Sequence, residues 1–320
     1  MILATTNEIL PRHVELILEQ TGEQVHVYPS IEETPQPIAE QAEILLTFPN
    51  NITHANPQPI NIAKLPRLKW IHLLSAGIDE LPLAQIRERG ICLTNVSGIH
   101  VLPMSEYVLM CMLYFEKDMD RYFAHKRAKI FDRTKLVGEL VNREVLIYGT
   151  GVIGTGVART LRFFQTKVYG VNTSGRAVEP FLQTYKLEEA TEKLRSADYV
   201  VSILPATDET RGLFSREYLQ NLKPEAVFIN IGRGSLVDEE CVAEMLRTGS
   251  LRGAALDVFQ TEPLPAGSPL WDCPNLILTP HMSAKSIYYI DRCVEIFVEN
   301  LLAYRQQKAM RNVVMNQLFS

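Results

Sequence analysis

The sequence predicts an α/β protein built from two doubly wound parallel sheets. Three observations carry this. Short β-rich apolar runs alternate with stretches of helical spacing through the first hundred residues, and again from residue 144 onward. The chain has 320 residues, enough for two domains with their own cores. One apolar run, residues 144–148, feeds directly into a G-x-G-x-x-G turn and an amphipathic stretch at 152–164.

The elements follow in order. Residues 1–5 read as a strand, and 11–20 as a helix with Val14, Ile17 and Leu18 on one face. Strands are predicted at 24–28 and 43–48. The Pro- and Asn-rich stretch 49–66 reads mostly as loop. A buried strand at 68–74, a helix at 81–89 and a strand at 91–95 come next. The pattern breaks at Ser97-Gly98-Ile99-His100. Residues 103–114 then form an almost wholly apolar helix with Met104, Val108, Leu109, Met110, Met112 and Leu113. A helix apolar all round is expected to be buried on every side, here at a domain or subunit interface. A charged stretch, 116–129, precedes the glycine turn. Beyond it, strands are predicted at 167–171, 199–204, 226–231, 253–258 and 276–278. Helices lie between them, as at 238–248, and a last helix covers about 283–306.

Composition excludes several classes. With 46% hydrophobic and 22% charged residues, the chain is neither disordered nor fibrous. A net charge of −5 without a basic block gives no footprint for nucleic acid. No apolar run reaches the ~18–20 residues of a membrane span, and the N-terminus lacks the pattern of a signal peptide. The five cysteines are odd in number and scattered without a C-x-x-C pair. They are expected to be free thiols of a reducing cytoplasm, and no metal site is expected.

The glycine turn carries the first chemistry. Gly149 permits a tight turn, Gly151 lets the backbone approach a pyrophosphate, and Gly154 lets the helix pack closely. The helix N-terminus, from Val152 and Ile153, offers N–H groups and a positive dipole end to phosphates. In a strand–turn–helix context this predicts dinucleotide binding. The next strand ends at Asn172, where a carboxylate would take the ribose hydroxyls of NAD. Asn172 removes the charge that would repel a 2′-phosphate, Thr173 and Ser174 offer hydroxyls, and Arg176 offers a fork. NADP(H) is therefore favoured, with NAD(H) possible.

Three further polar residues lie just beyond strands. Arg233 stands in Asn230-Ile231-Gly232-Arg233-Gly234, where flanking glycines are expected to leave room for a ligand. Glu262 and His281 follow the next two strands. Ligands of open parallel sheets bind at the carboxyl ends of strands, so all three point to one edge. Arg233 suits a carboxylate, His281 a general acid and base, and Glu262 the orientation and protonation of that imidazole. Asp257 could bind the carboxamide of a nicotinamide.

The chain resembles the D-isomer-specific 2-hydroxyacid dehydrogenases over nearly its whole length. The resemblance is carried by Ser75-Ala76-Gly77-Ile78-Asp79, the glycine turn, Leu204-Pro205-Ala206-Thr207-Asp208-Glu209-Thr210, and the segments around Arg233, Glu262 and His281. It implies a flavodoxin-like substrate domain (1–98 and 284–320) and a Rossmann cofactor domain (99–283). It implies Arg233, Glu262 and His281 as the catalytic set. It also implies substrate binding by Ala76 and Gly77 N–H groups with Arg233 and His281, and cofactor contacts near Pro205, Thr210, Ile231 and Asp257. The implied activity is reduction of a small 2-keto acid to the D-2-hydroxy acid, and the reverse oxidation, by a homodimer. The rival expectation is a dinucleotide-sensing scaffold without turnover. Retention of Arg233, Glu262 and His281 together argues against it, because a scaffold needs no proton donor.

Overall fold

The computed structural model describes residues 1–49, 60–78 and 80–315. Among them the chain divides into two compact units, Met1–Ile99 with Ser286–Ser320, and His100–Lys285.

The first unit contains β1 (Ile2–Thr5), α1 (Pro11–Thr21), β2 (Val25–Tyr28), α2 (Gln36–Ala39), β3 (Ile44–Thr47), β4 (Trp70–Leu73), α3 (Leu83–Glu88) and β5 (Cys92–Thr94). The second contains α4 (Val101–Glu116), α5 (Met119–Ala128), β6 (Glu144–Tyr148), α6 (Val152–Phe163), β7 (Lys167–Val171), β8 (Thr184–Tyr185), α7 (Thr191–Ser196), β9 (Tyr199–Ser202), α8 (Arg216–Leu219), β10 (Val227–Asn230), α9 (Glu239–Thr248), β11 (Gly253–Leu256) and β12 (Leu276–Leu278). The chain then returns to the first unit with α10 (Tyr289–Arg305) and β13 (Val313–Met315).

The first sheet has the order β13-β5-β4-β3-β1-β2, parallel except for β13, which runs antiparallel to β5. Its parallel part is the flavodoxin-like order. The second sheet, β12-β11-β10-β9-β6-β7-β8, is parallel throughout and has the Rossmann order. Both sheets are covered on both faces, so their central strands are buried at nearly every position rather than alternating. Along β6, Val145 and Ile147 pack with α4 and α6, while Leu146 and Tyr148 pack with α7, α8 and α9. Gly156 on α6 permits the α4 contact, since a Cβ there would lie 2.2 Å from Val101 Cγ1.

Several expectations need correction. The 103–114 helix exists within α4 but is not buried on every side. Leu102 and Met110, spaced with Glu106 by one turn each, form an exposed strip, at 53% and 44% for the two apolar members. The charged stretch after it forms α5, although no apolar stripe runs along its length. The last helix begins at Tyr289 rather than near 283, because residues 282 and 283 turn back toward Asp257. The edge strands β8 and β13 were unforeseen, being two and three residues long. Of the stretch read as loop, residues 50–59 lie outside the described residues, and Ile62–Lys64 is a 3₁₀ turn.

Candidate active site

The second sheet has its topological switch at β6, which lies between β7 and β9. Ligands of such sheets bind beyond the strand ends at the switch. The glycine turn sits there. Gly149 has φ +106°, a region costly for other residues, and its N–H bonds Val171 O at 3.0 Å. A Cβ on Gly154 would lie 1.8 Å from Gly149 O, so only glycine lets α6 begin so close to the turn. Nothing lies within 4 Å of a Cβ built on Gly151. The N–H groups of Val152, Ile153 and Gly154 have no backbone acceptor among the described residues, the first intrahelical bond being Thr155 N–H to Gly151 O at 2.9 Å. Open space and unpaired donors at the start of a 12-residue helix fit a pyrophosphate.

Beyond β7, Asn172 is half-buried and turned into its own loop. Its Nδ2 donates to Thr150 Oγ1 (3.2 Å) and Arg176 O (3.0 Å), and its Oδ1 accepts from Ser174 N (3.2 Å). Thr184, on β8, donates to Gly175 O (3.1 Å) and Arg176 O (2.7 Å). The loop is therefore pinned at both ends, with Thr173, Ser174 and Arg176 exposed. Beyond β9, Thr210 Oγ1 donates to Pro205 O (2.6 Å) and accepts from Thr207 N (2.8 Å), closing the 205–210 loop. Ile231 is buried, and its N–H bonds Ser202 O at 3.0 Å.

Arg233 is half-buried three residues beyond β10. Buried Asn230 fixes that turn by accepting from Gly232 N (3.1 Å) and donating to Arg233 O (3.0 Å). The flanking glycines do not leave room for a ligand, contrary to expectation. A Cβ on Gly232 would lie 2.6 Å from Leu204 O, and one on Gly234 would lie 1.9 Å from the Phe259 carbonyl carbon. They admit neighbouring backbone instead.

Glu262 and His281 meet. His281 Nδ1 lies 2.9 Å from Glu262 Oε2, while Glu262 Oε1 accepts from Phe259 N at 3.0 Å. The hydrogen bond that His281 donates to Glu262 holds the imidazole above its ordinary pKa, against partial burial and the charge of Arg233. Burial pushes the Glu262 carboxyl up, but His281, Phe259 N–H and Arg233 outweigh it and leave it below the usual range. The charge of Arg233 thus acts on both members of the pair. His281 has φ +51°, a strained value for a non-glycine residue, and its N–H is tied to Asp257 O (2.7 Å) and Thr279 O (3.0 Å).

Asp257 is fully buried. Its carboxylate accepts from Thr279 Oγ1 (2.6 Å), Met282 N (2.8 Å) and Ser283 N (2.9 Å), so it is engaged by the loop that carries His281. In the first unit, Asn95 Nδ2 donates to Ala76 O at 2.8 Å and Ser75 Oγ to Gly77 O at 3.1 Å. Neither Ala76 N–H nor Gly77 N–H has a backbone acceptor among the described residues. Asp79 of that motif lies outside them. Asn95, Asn230 and Thr279 complete these loops and carry no motif of their own. Their signal was position, since each is a small polar residue at the end of an apolar strand.

The model of the D-isomer specific 2-hydroxyacid dehydrogenase NAD-binding domain matches residues 109–283. The glyoxylate/hydroxypyruvate reductase B of Pectobacterium carotovorum is 31% identical over 262 residues, 79% of this chain and 81% of that one. The structure of a D-isomer specific 2-hydroxyacid dehydrogenase family protein from Aeromonas salmonicida superposes with TM-score 0.84 at 34% identity, covering 98% of each chain. That of an NADPH-dependent glyoxylate/hydroxypyruvate reductase from Sinorhizobium meliloti, in complex with NADP and sulfate, superposes with TM-score 0.78 at 27% identity, covering 98% of this chain and 97% of that one.

Proposed function

The chain belongs to the D-isomer-specific 2-hydroxyacid dehydrogenase family and is an NAD(P)-dependent 2-keto acid reductase, and from that premise we propose how its residues divide the reaction. His281 donates the proton to the substrate carbonyl oxygen through Nε2, because Glu262 occupies Nδ1. Glu262 keeps the imidazolium oriented and charged. Arg233 pairs with the substrate carboxylate and offsets charge on the developing alkoxide. In the first unit, Ala76 and Gly77 N–H groups are carboxylate donors. When bound, a nicotinamide would supply hydride chemistry at the carbonyl carbon. The proton from His281 completes the hydroxyl, and solvent restores the imidazolium.

The 149–154 turn would hold the pyrophosphate, while Asn172, Thr173, Ser174 and Arg176 would face the adenosine ribose, with Pro205, Thr210 and Ile231 lining the site. NADP(H) is preferred because no carboxylate follows β7 and exposed Ser174 and Arg176 can meet a 2′-phosphate. Solved relatives carrying NADP or NADPH support this choice. Asp257 serves the site by holding the loop that carries His281 rather than by binding a carboxamide, since its carboxylate already accepts from Thr279, Met282 and Ser283. The substrate is a small 2-keto acid of the glyoxylate or hydroxypyruvate kind, as the names of relatives suggest. The chain forms a homodimer through the second unit, where Leu102, Met110, Phe123, Ile130, Phe131 and Leu136 are exposed. Light scattering at micromolar concentration should give twice the chain mass, and a monomer would refute this.

The observation that carries the reading is the His281–Glu262 pair, with Arg233 following a strand of the same sheet edge. The test is a panel of 2-keto acids assayed with NADPH and NADH. Turnover of glyoxylate or hydroxypyruvate, faster with NADPH, is expected. Failure of every keto acid with both cofactors would overturn it.

A further inference from the structure

Tyr107 lies on α4, buried among apolar side chains, with its hydroxyl 2.6 Å from Thr279 Oγ1. Thr279 Oγ1 in turn lies 2.6 Å from Asp257 Oδ1. A carboxylate only accepts, so the single hydroxyl proton of Thr279 goes to Asp257, and Tyr107 donates to Thr279. The chain of hydrogen bonds thus has one direction, from the Tyr107 phenol through Thr279 to Asp257. Such chains strengthen each member in a dry interior.

What hangs from Asp257 is the His281 loop. The Asp257 carboxylate accepts from the N–H groups of Met282 and Ser283, and its carbonyl accepts from His281 N–H. The left-handed backbone of His281 persists only if neighbouring anchors over-determine it. A phenylalanine at position 107 would fill the same apolar volume without a buried hydroxyl. The polar group of Tyr107 therefore has a use that packing does not supply.

We propose that Tyr107 is a positioning residue for the reaction: through Thr279 and Asp257 it fixes the loop that presents His281 to Glu262. This rests on the reading of His281 as proton donor. Among the described residues, the charges that act on His281 are those of Glu262, Asp257 and Arg233, all in the second unit.

The test uses the full-length protein with Tyr107→Phe, Thr279→Val, Thr279→Ser and the Tyr107→Phe/Thr279→Val double variant. Two quantities are read: kcat/KM for the keto acid, and the titration midpoint of the His281 imidazole by NMR of labelled histidine, assigned with a His281→Asn sample. Tyr107→Phe should lower kcat/KM by about tenfold, the scale of a small misplacement at a reacting group. The midpoint should fall by roughly half a pH unit as the Glu262 contact loosens. Thr279→Val should do the same, Thr279→Ser should match the parent, and the double variant should add little, because both changes cut one chain. The proposal is overturned if Tyr107→Phe leaves kcat/KM within about twofold of the parent and the midpoint within about 0.2 pH unit, or if the two changes act independently. Should Tyr107→Phe not fold, identical behaviour of Thr279→Ser and Thr279→Val would overturn it. If the parent reduces no keto acid, the proton-donor reading falls, while the NMR midpoints still decide the positioning role.

Discussion

Glu262→Gln isolates the charge in the pair. Glutamine retains an acceptor for His281 Nδ1, so the contact at 2.9 Å can persist while its charge is lost. The two side chains are 52% and 36% exposed for His281 and Glu262, so water screens them strongly. An exposed pair of this kind contributes on the order of 0.3–1 kcal/mol. That corresponds to a fall of roughly 0.2–0.7 in the His281 pKa. The sign follows from the direction of the present shift. Glu262 raises the His281 pKa, so the imidazolium survives to higher pH than an ordinary histidine. Reduction needs the imidazolium; its rate is full at low pH and falls as pH rises through the His281 value. Removing the charge should therefore move the alkaline limb of kcat/KM for reduction to lower pH. Well above both midpoints the protonated fraction should drop by about two- to fivefold. Oxidation of the hydroxy acid needs neutral imidazole, so its acidic limb should move the same way and the rate near pH 6 should rise relative to the parent. The assay is the pH dependence of kcat/KM in both directions. An alkaline limb that stays in place, or moves upward, would refute the electrostatic role of Glu262.

Arg233→Lys keeps the charge but loses the fork, so KM for the keto acid should rise by about ten- to a hundredfold with little change in NADPH affinity, as read by initial rates and cofactor fluorescence. Arg176→Ala should weaken NADPH by roughly tenfold and leave NADH nearly unchanged in the same titration. Asn172→Asp should favour NADH by repelling a 2′-phosphate, but it also removes the amide that donates to Thr150 and Arg176, so NADH affinity should itself fall below that expected from charge alone. Glu116→Ala should cost about 3 kcal/mol in urea denaturation, because the buried carboxylate joins Arg143, Arg252 and the Tyr199 hydroxyl. Burial pushes the Glu116 carboxyl up, but those partners hold it below the usual range. The parent should therefore lose this stability as pH falls through the lowered folded value, and the variant should lack that acid dependence.

The parts legible in the sequence were those decided locally. The strands 144–148, 167–171 and 276–278 match the structure to the residue. The glycine turn was legible because φ at Gly149 and the close approach at Gly154 admit no other residue. Arg233, Glu262 and His281 were legible as polar residues placed just after apolar strands. What escaped depends on partners distant in sequence. The start of α10 was misplaced because Met282 and Ser283 N–H groups turn to Asp257, some 25 residues earlier. No periodicity records that contact. β13 was invisible because three residues become a strand only by pairing with β5. The glycines around Arg233 looked like space for a ligand because sequence does not show that Leu204 and Phe259 come so near. The exposed strip of α4 was hidden by composition, since Leu102 and Met110 are as apolar as the buried residues beside them.

One pattern connects the loops at the strand ends. Where a parallel strand stops, the ladder no longer supplies partners for the backbone beyond it, and those groups must be paired in another way. In four places an Asn or Asp at or just after the last strand residue does so. Asn172 holds its own loop through Ser174 and Arg176. Asn230 holds the Arg233 turn. Asn95, beyond β5, holds the Ala76 loop beyond neighbouring β4. Asp257, beyond β11, holds the His281 loop beyond neighbouring β12. Short amide and carboxylate side chains suit this position because they reach backbone groups only a few residues or one strand away. The loops that carry Ala76, Arg176, Arg233 and His281 are each fixed in this way. The stiffness of the sheet then passes to the loops, and the reacting groups keep their geometry without lying in the core.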